Sequence, residues 1–262
     1  MASIRPPAVA GSFYPEDPQQ LRTMIHCFLQ GVGKLDMCSP KAIIVPHAGY
    51  IYSGAIAASA YVHVAAAHST VRRVVLLGPA HRVGFHGLAL SSADFYATPL
   101  GRVPLDRSVI TTLQNFSGVK ILDKAHALEH SLEVQLPFLQ EVLDDFSLVP
   151  IVIGETSAET VATVIEELWG GDETLVVISS DLSHYQGYAA AKKQDFATSK
   201  AIENLQPEAI SYHDACGRLP ISGLLLAAKK LGLKVTPYDL RNSGDTAGDR
   251  DRVVGYGAYG FE

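Results

Sequence analysis

An α/β domain with a mixed or largely parallel β-sheet flanked by helices is what this chain predicts, and three observations carry that prediction. Short apolar runs alternate with segments of helical periodicity along the whole sequence. Three runs, at 43–46, 74–77 and 174–179, each release a histidine just past their C-terminal end: His47, His81 and His184. Apolar residues make up 47% of the 262 and charged residues 18%, enough to build a substantial core. No linker rich in proline or glycine divides the chain, so residues 1–262 are read as a single domain.

The elements follow in order. Residues 6–15 are an extended lead-in, and 15–30 form a helix with Leu21, Met24, Ile25 and Phe28 on one face. The strand at 43–46 leads through Pro46-His47-Ala48-Gly49-Tyr50 to an alanine-rich helix over 54–67, with Ser53 as its expected cap. After the strand at 74–77 come a short strand near 87–91, a hairpin over 96–104 and a helix capped by Asp106. Residues 128–143 carry Leu132, Leu136, Leu139 and Val142 at helical spacing, with Pro137 kinking or restarting the helix. A strand at 147–153, a helix at 158–169 and the strand at 174–179 repeat the pattern. Helices broken near 206–207 and 217–220 then fill 187–231, and the C-terminus returns to strands at 234–239 and 252–259.

Composition excludes several function classes. A net charge of −6 without clustered Lys and Arg argues against a nucleic-acid partner. No apolar run is long enough to span a bilayer, and the N-terminus lacks a signal-peptide core. Cys27, Cys38 and Cys216 are scattered without CxxC spacing, which suits a reducing, cytoplasmic compartment. Neither a Walker phosphate loop nor a Gly-x-Ser-x-Gly nucleophile elbow is present.

Of ten histidines, His26, His63 and His68 lie on or beside helices and read as packing residues. His47, His81 and His184 share one topological address. Ligands of open α/β sheets bind outside the carboxyl ends of the strands, so these rings are expected to converge on one pocket. Imidazole is a ligand for iron, zinc, copper and nickel, and two histidines with a carboxylate leave open positions for substrate. Asp181 either orients an imidazole, ligates, or caps a following helix. Glu129, His130 and Glu133 have spacings that share a helix face, which reads as polar site residues or as helix-start acids. Asp245 lies in Asn242-Ser243-Gly244-Asp245, after the strand at 234–239.

These motifs resemble the Memo family, whose prokaryotic members are labelled protein B of the AmmeMemoRadiSam system. The resemblance rests on residues 8–15, Val45 to Gly54, Gly78-Pro79-Ala80-His81, Glu129 to Pro137, Ser179 to His184, and Cys216-Gly217 with Pro220-Ile221, in order along nearly the whole chain. It implies a fold similar to class III extradiol ring-cleaving dioxygenases, with His47 and His81 binding Fe(II) and His184, beside Asp181, as the acid–base residue. It also implies substrate contacts from Tyr50, Glu129, His130, Glu133 and Cys216, and AMMECR-type and radical SAM proteins of the same system as partners. Eukaryotic Memo proteins have a cysteine near the C-terminus as third ligand. Counted forward from Tyr238, the matching position falls at or beside Gly244, and no cysteine follows Cys216. Asp245 is therefore expected to supply a carboxylate in its place, a hard oxygen that favours Fe(II) or Mn(II) over Cu(I). Three functions fit: a metal-dependent redox enzyme, a binding protein for a peptide or small molecule that keeps the pocket without the chemistry, and a metal-assisted hydrolase. An entrance lined by Tyr14, Tyr50, Tyr52 and Tyr185 suits all three.

Overall fold

The apolar runs become the middle of one large sheet. The computed structural model describes residues 2–33 and 39–262; Cys38, counted above, lies outside them. In chain order, β1 (Ile4–Arg5) and α1 (Pro18–Gly31) precede β2 (Ala42–Val45), α2 (Tyr50–Val64) and β3 (Arg73–Pro79). Then come β4 (Leu88–Leu90), the hairpin β5 (Phe95–Thr98) and β6 (Gly101–Pro104), α3 (Arg107–Leu113), β7 (Val119–Ile121), α4 (Asp123–Ala127) and α5 (Leu136–Val142). The second half holds β8 (Ser147–Ile153), α6 (Ala158–Glu167), β9 (Thr174–Ser179), β10 (His184–Gln186), α7 (Tyr188–Glu203), α8 (Arg218–Leu231), β11 (Val235–Asn242) and β12 (Val253–Phe261).

The large sheet runs β10-β12-β2-β9-β3-β8-β4-β7, with β11 paired to β12; a second sheet is β1-β5-β6. Its central strands β2, β9, β3 and β8 are mutually parallel, and antiparallel partners, β12 and β4, close either side. Every residue of β2 and β9 is buried. Strands buried on both faces read as continuous apolar runs rather than alternating ones, which is why the sequence shows runs here. Helices α1 and α5 pack against α2, and α6 packs against α8. Pro237 is tolerated because β11 pairs only with β12 and lies at a sheet edge.

This order positions the site. β9 lies between β2 and β3, all three point the same way, and their C-terminal loops carry Ser179 to His184, His47 and His81.

Three local expectations are corrected. The segment 128–143 is not one helix: Glu129 to Leu132 form a loop, Glu133–Gln135 make a single 3₁₀ turn, and α5 restarts with Pro137 in its first turn. The apolar spacing that suggested a helix instead buries loop residues such as Leu132. Helix α2 begins at Tyr50 with Gly49 as its cap, and the Ser53 hydroxyl donates to the Ala48 carbonyl at 2.9 Å from inside the first turn. No helix follows Asp181; the chain continues into β10.

Candidate metal centre

Each histidine of the centre is held by one ring nitrogen, and the other is left over. Ser179, the last residue of β9, donates its hydroxyl to the Ser131 carbonyl at 2.6 Å. Having spent its only proton, that oxygen accepts from His47 Nδ1 at 2.9 Å and from Gln135 Nε2 at 2.7 Å. His47 is therefore the Nδ1–H tautomer, with its Nε2 lone pair facing the Cys216 thiol. The backbone N–H of His47 donates to Asp181 Oδ1 at 2.7 Å. Burial, and then the neighbouring His81 and His130, hold the His47 imidazole well below its ordinary pKa, so it is neutral.

His81 repeats the arrangement with a different partner. Its backbone N–H and its Nδ1 donate to the two oxygens of Glu129, at 2.6 and 2.9 Å. Glu129 also accepts the amides of His130 and Ser131, each at 3.0 Å. Burial works against its charge, but these hydrogen bonds and the His81 ring outweigh it and hold the carboxyl at about 2. A carboxylate on Nδ1 raises imidazole basicity and fixes the ring, the usual support of a metal-binding histidine.

The third group is Cys216. Its Sγ lies 3.3 Å from His47 Nε2, and ligand atoms of His47, His81 and Cys216 all fall within 4.8 Å of one another. Metal–nitrogen and metal–sulfur bonds of about 2.0–2.3 Å bring such atoms to roughly this separation around one ion. Gly217, next in the chain, lets the turn dock on β9: a Cβ there would meet the Ser180 Cβ at 2.6 Å. Burial, and then the charge of Asp181, push the Cys216 thiol up to about 12. Without a cation it stays protonated; a bound metal ion would favour the thiolate. The donors fit a first-row transition metal: two imidazoles held through Nδ1 and one thiol.

His184 lines the same cleft as His81 and Cys216, with its Nδ1 2.8 Å from the Leu182 carbonyl. Tyr185, immediately after it, has φ of 58°, a left-handed conformation uncommon outside glycine and frequent at functional sites. Asp181 is fully buried, and burial pushes its carboxyl up to about 6 against the pull of the His47 amide. Its visible duty is to hold the His47 backbone.

The rest of the sequence assignment divides. His130 stacks on His81 with ring centroids 4.6 Å apart and meets His47 edge-on at 5.4 Å. Its Nδ1 is 3.3 Å from Glu129 Oε1 but is not aligned for a hydrogen bond. Glu129 supports the centre from behind, and Glu133 does not reach it. Glu133 is fully buried and accepts from Arg5 Nη1, the Ala8 and Val9 amides and the Tyr14 hydroxyl. Tyr50 is a core residue whose hydroxyl donates to the Val134 carbonyl at 2.7 Å. Of the four expected entrance tyrosines, Tyr185 lines the cleft, whereas Tyr14 and Tyr50 are buried in the core.

Asp245 is not with the histidines. It ends a short 3₁₀ turn, Ser243–Asp245, where it accepts the Asn242 amide in a capping box and the Tyr188 hydroxyl. Counting along the C-terminal strand placed the vacancy there, but the group gathered beside His47 and His81 is the thiol of Cys216, on the turn before α8. With Asp245 removed, the preference for a hard oxygen ligand goes too. Ser179 and Gln135 were missed; their signal was polar residues inside apolar segments, where a buried side chain must find a partner.

The profile of the family described as Memo-like protein matches residues 5–259. The chain belongs to the Memo family. It is 38% identical over 264 residues to a MEMO1 family protein of Aquifex aeolicus, covering 97% of each chain. It is 39% identical over 288 residues to MEMO1 family protein SSO0066 of Saccharolobus solfataricus, covering 98% of this chain and 99% of that one. Among solved structures, an uncharacterized protein of Escherichia coli K12, JW3007, is similar in fold: TM-score 0.53, 14% identity, 82% of this chain and 98% of that one. Among the described residues of this Memo-family chain, no helix is long and apolar enough to cross a membrane.

Proposed function

We propose that this chain is a metal-dependent redox enzyme whose centre is formed by His47, His81 and Cys216, with Fe(II) as the first candidate metal and copper as the competitor. The observation that carries this reading is the pair of imidazoles whose Nδ1 atoms are engaged by Ser179 and Glu129 while a thiol lies against the Nε2 of His47. The likeness in fold to class III extradiol dioxygenases that the Memo resemblance implies favours redox chemistry over hydrolysis. Two imidazoles and one thiolate suit iron and copper alike.

A redox-active metal would supply electron transfer and polarisation of a bound substrate. The chain's own residues do the rest. Ser179 and Glu129 fix both imidazole tautomers before any ligand arrives, so no reorganisation is needed. His184, on the cleft wall with its Nδ1 beside the Leu182 carbonyl, holds or moves a proton at Nε2. Leu219, Pro220 and Phe85 give part of the cleft an apolar wall.

Anaerobic purification followed by metal analysis, and O₂ uptake with catechols, test the proposal. It expects about one metal ion per chain, lost in His47→Ala, His81→Ala and Cys216→Ala. Retention of metal in all three variants would remove the centre. Stoichiometric metal without any substrate-dependent O₂ uptake or redox change would leave a binding protein.

A further inference from the structure

We propose that Arg218 anchors a carboxylate, making the substrate of the metal cleft a monoanionic acid with a flat, largely apolar body. The inference rests on the reading of this cleft as the substrate site and names the class of molecule that fits it.

The cleft measures about 890 Å³, the size of a small-molecule site, and Phe85, Ile153, Leu219 and Pro220 give it apolar walls. Tyr185 and Tyr212, both exposed, bring aromatic rings to it. Arg218 is the one lysine or arginine among the lining residues. Glu155 is their one carboxylate; it is 3.2 Å from His86, and both side chains are at least 80% exposed.

Arg218 has no carboxylate partner among the described residues; its guanidinium lies 5.8 Å from the Tyr212 ring centroid. The acid closest to it in sequence, Asp214, spends one oxygen on Gln194 Nε2 and the other on the Ser211 amide, both at 2.7 Å. A partly buried guanidinium held against an aromatic ring keeps its fork of N–H donors free, and that fork matches a carboxylate with two parallel hydrogen bonds. Arg218 is the wall's one fixed guanidinium or ammonium, and its planar fork matches the two oxygens of a single carboxylate. Position adds to charge. Arg218 is two residues beyond Cys216 on the turn that Gly217 docks against Ser180, so one backbone segment sets both thiol and guanidinium.

The test titrates benzoate, its neutral isostere benzamide, and phenyl phosphate into the full chain, metal-free and Fe(II)-loaded under anaerobic conditions. Wild type, Arg218→Gln and Arg218→Lys are compared by calorimetry. The expected result is a benzoate preference of about tenfold or more in wild type, the scale of a hydrogen-bonded charge pair. Arg218→Gln should lose most of that preference while benzamide binding stays within about twofold; Arg218→Lys should keep part of it. Equal binding of benzoate and benzamide by wild type overturns the proposal, as does an Arg218→Gln variant that keeps the preference. Tighter binding of phenyl phosphate than benzoate overturns the carboxylate assignment. If Arg218→Gln does not fold, Arg218→Lys and the wild-type comparison decide. Metal content of the same samples separates the two readings: absent metal with intact benzoate selectivity overturns the centre alone.

Discussion

Glu129 and Glu133 stand four residues apart in one loop, both buried, and each accepts four hydrogen bonds. They do different work because of where those bonds lead. Those of Glu133 lead to Arg5, the Ala8 and Val9 amides and Tyr14, tying the N-terminal segment onto the loop. Arg5 completes that knot by donating to the carbonyls of His126 and Glu129, and both Arg5 and Glu133 are buried within it. Those of Glu129 lead to the His81 ring, whose second nitrogen remains open beside His47 and Cys216. Both carboxylates are satisfied. What separates a structural cluster from a site is whether the chain of contacts ends on a group with capacity to spare.

The largest effect is expected where the knot is cut. Glu133→Ala leaves Arg5 as an uncompensated buried charge, and such losses cost about 3–5 kcal/mol. Urea unfolding should show that drop, while the protein that remains folded binds metal as wild type does. A loss below about 1 kcal/mol would make Glu133 a dispensable partner and break the contrast.

Acid should act next, also through the knot. His126 donates from Nε2 to the Ala89 carbonyl at 3.0 Å, so its Nδ1 accepts the Tyr96 hydroxyl at 2.7 Å and the ring is neutral. Burial holds its pKa at about 4, down from 6.5. A depressed folded-state pKa means that the unfolded chain takes up the proton first. This contribution is complete above pH 6.5 and is lost as pH falls to about 4, by about 3 kcal/mol at 1.36 kcal/mol per unit. Glu129, held at about 2 from 4.5, adds a second loss in the window below. Stability measured from pH 7 to 4 should fall in wild type and less steeply in a folded His126 variant, the buried His47 and His130 supplying the remaining slope; identical slopes would refute the assignment.

On the site side, Glu129→Gln should weaken metal binding by about 10–100-fold, the range for groups that orient a ligating histidine. Chelator competition reads this directly, and an affinity within twofold of wild type would show that His81 needs no such support.

The smallest effect belongs to Asp245. Removing it should cost about 1 kcal/mol through the lost cap and leave metal affinity unchanged. Weakened binding in Asp245→Ala, together with intact binding in Cys216→Ala, would put Asp245 rather than Cys216 with the histidines.

The sequence by itself determined the strands, because β2, β3, β8 and β9 are buried on both faces and must be written as uninterrupted apolar runs. It also determined which histidines follow them, and so the end of the sheet at which a site can form. Motif order made family membership legible from the same residues, since the fingerprints run from Ala8 to Ile221 without rearrangement. Only the tertiary structure brought Cys216 beside the histidines, because it reaches His47 across 169 positions through a docking turn that no local pattern encodes. The same holds for the two glutamates. Spacing put Glu129 and Glu133 on one helix face, yet the segment is a loop with one 3₁₀ turn, and their partners come from β1, the residues after it, and the end of β3. A hydrogen bond is satisfied by whatever lies within about 3 Å, and in a buried loop that neighbour is chosen by the fold rather than by the sequence around it.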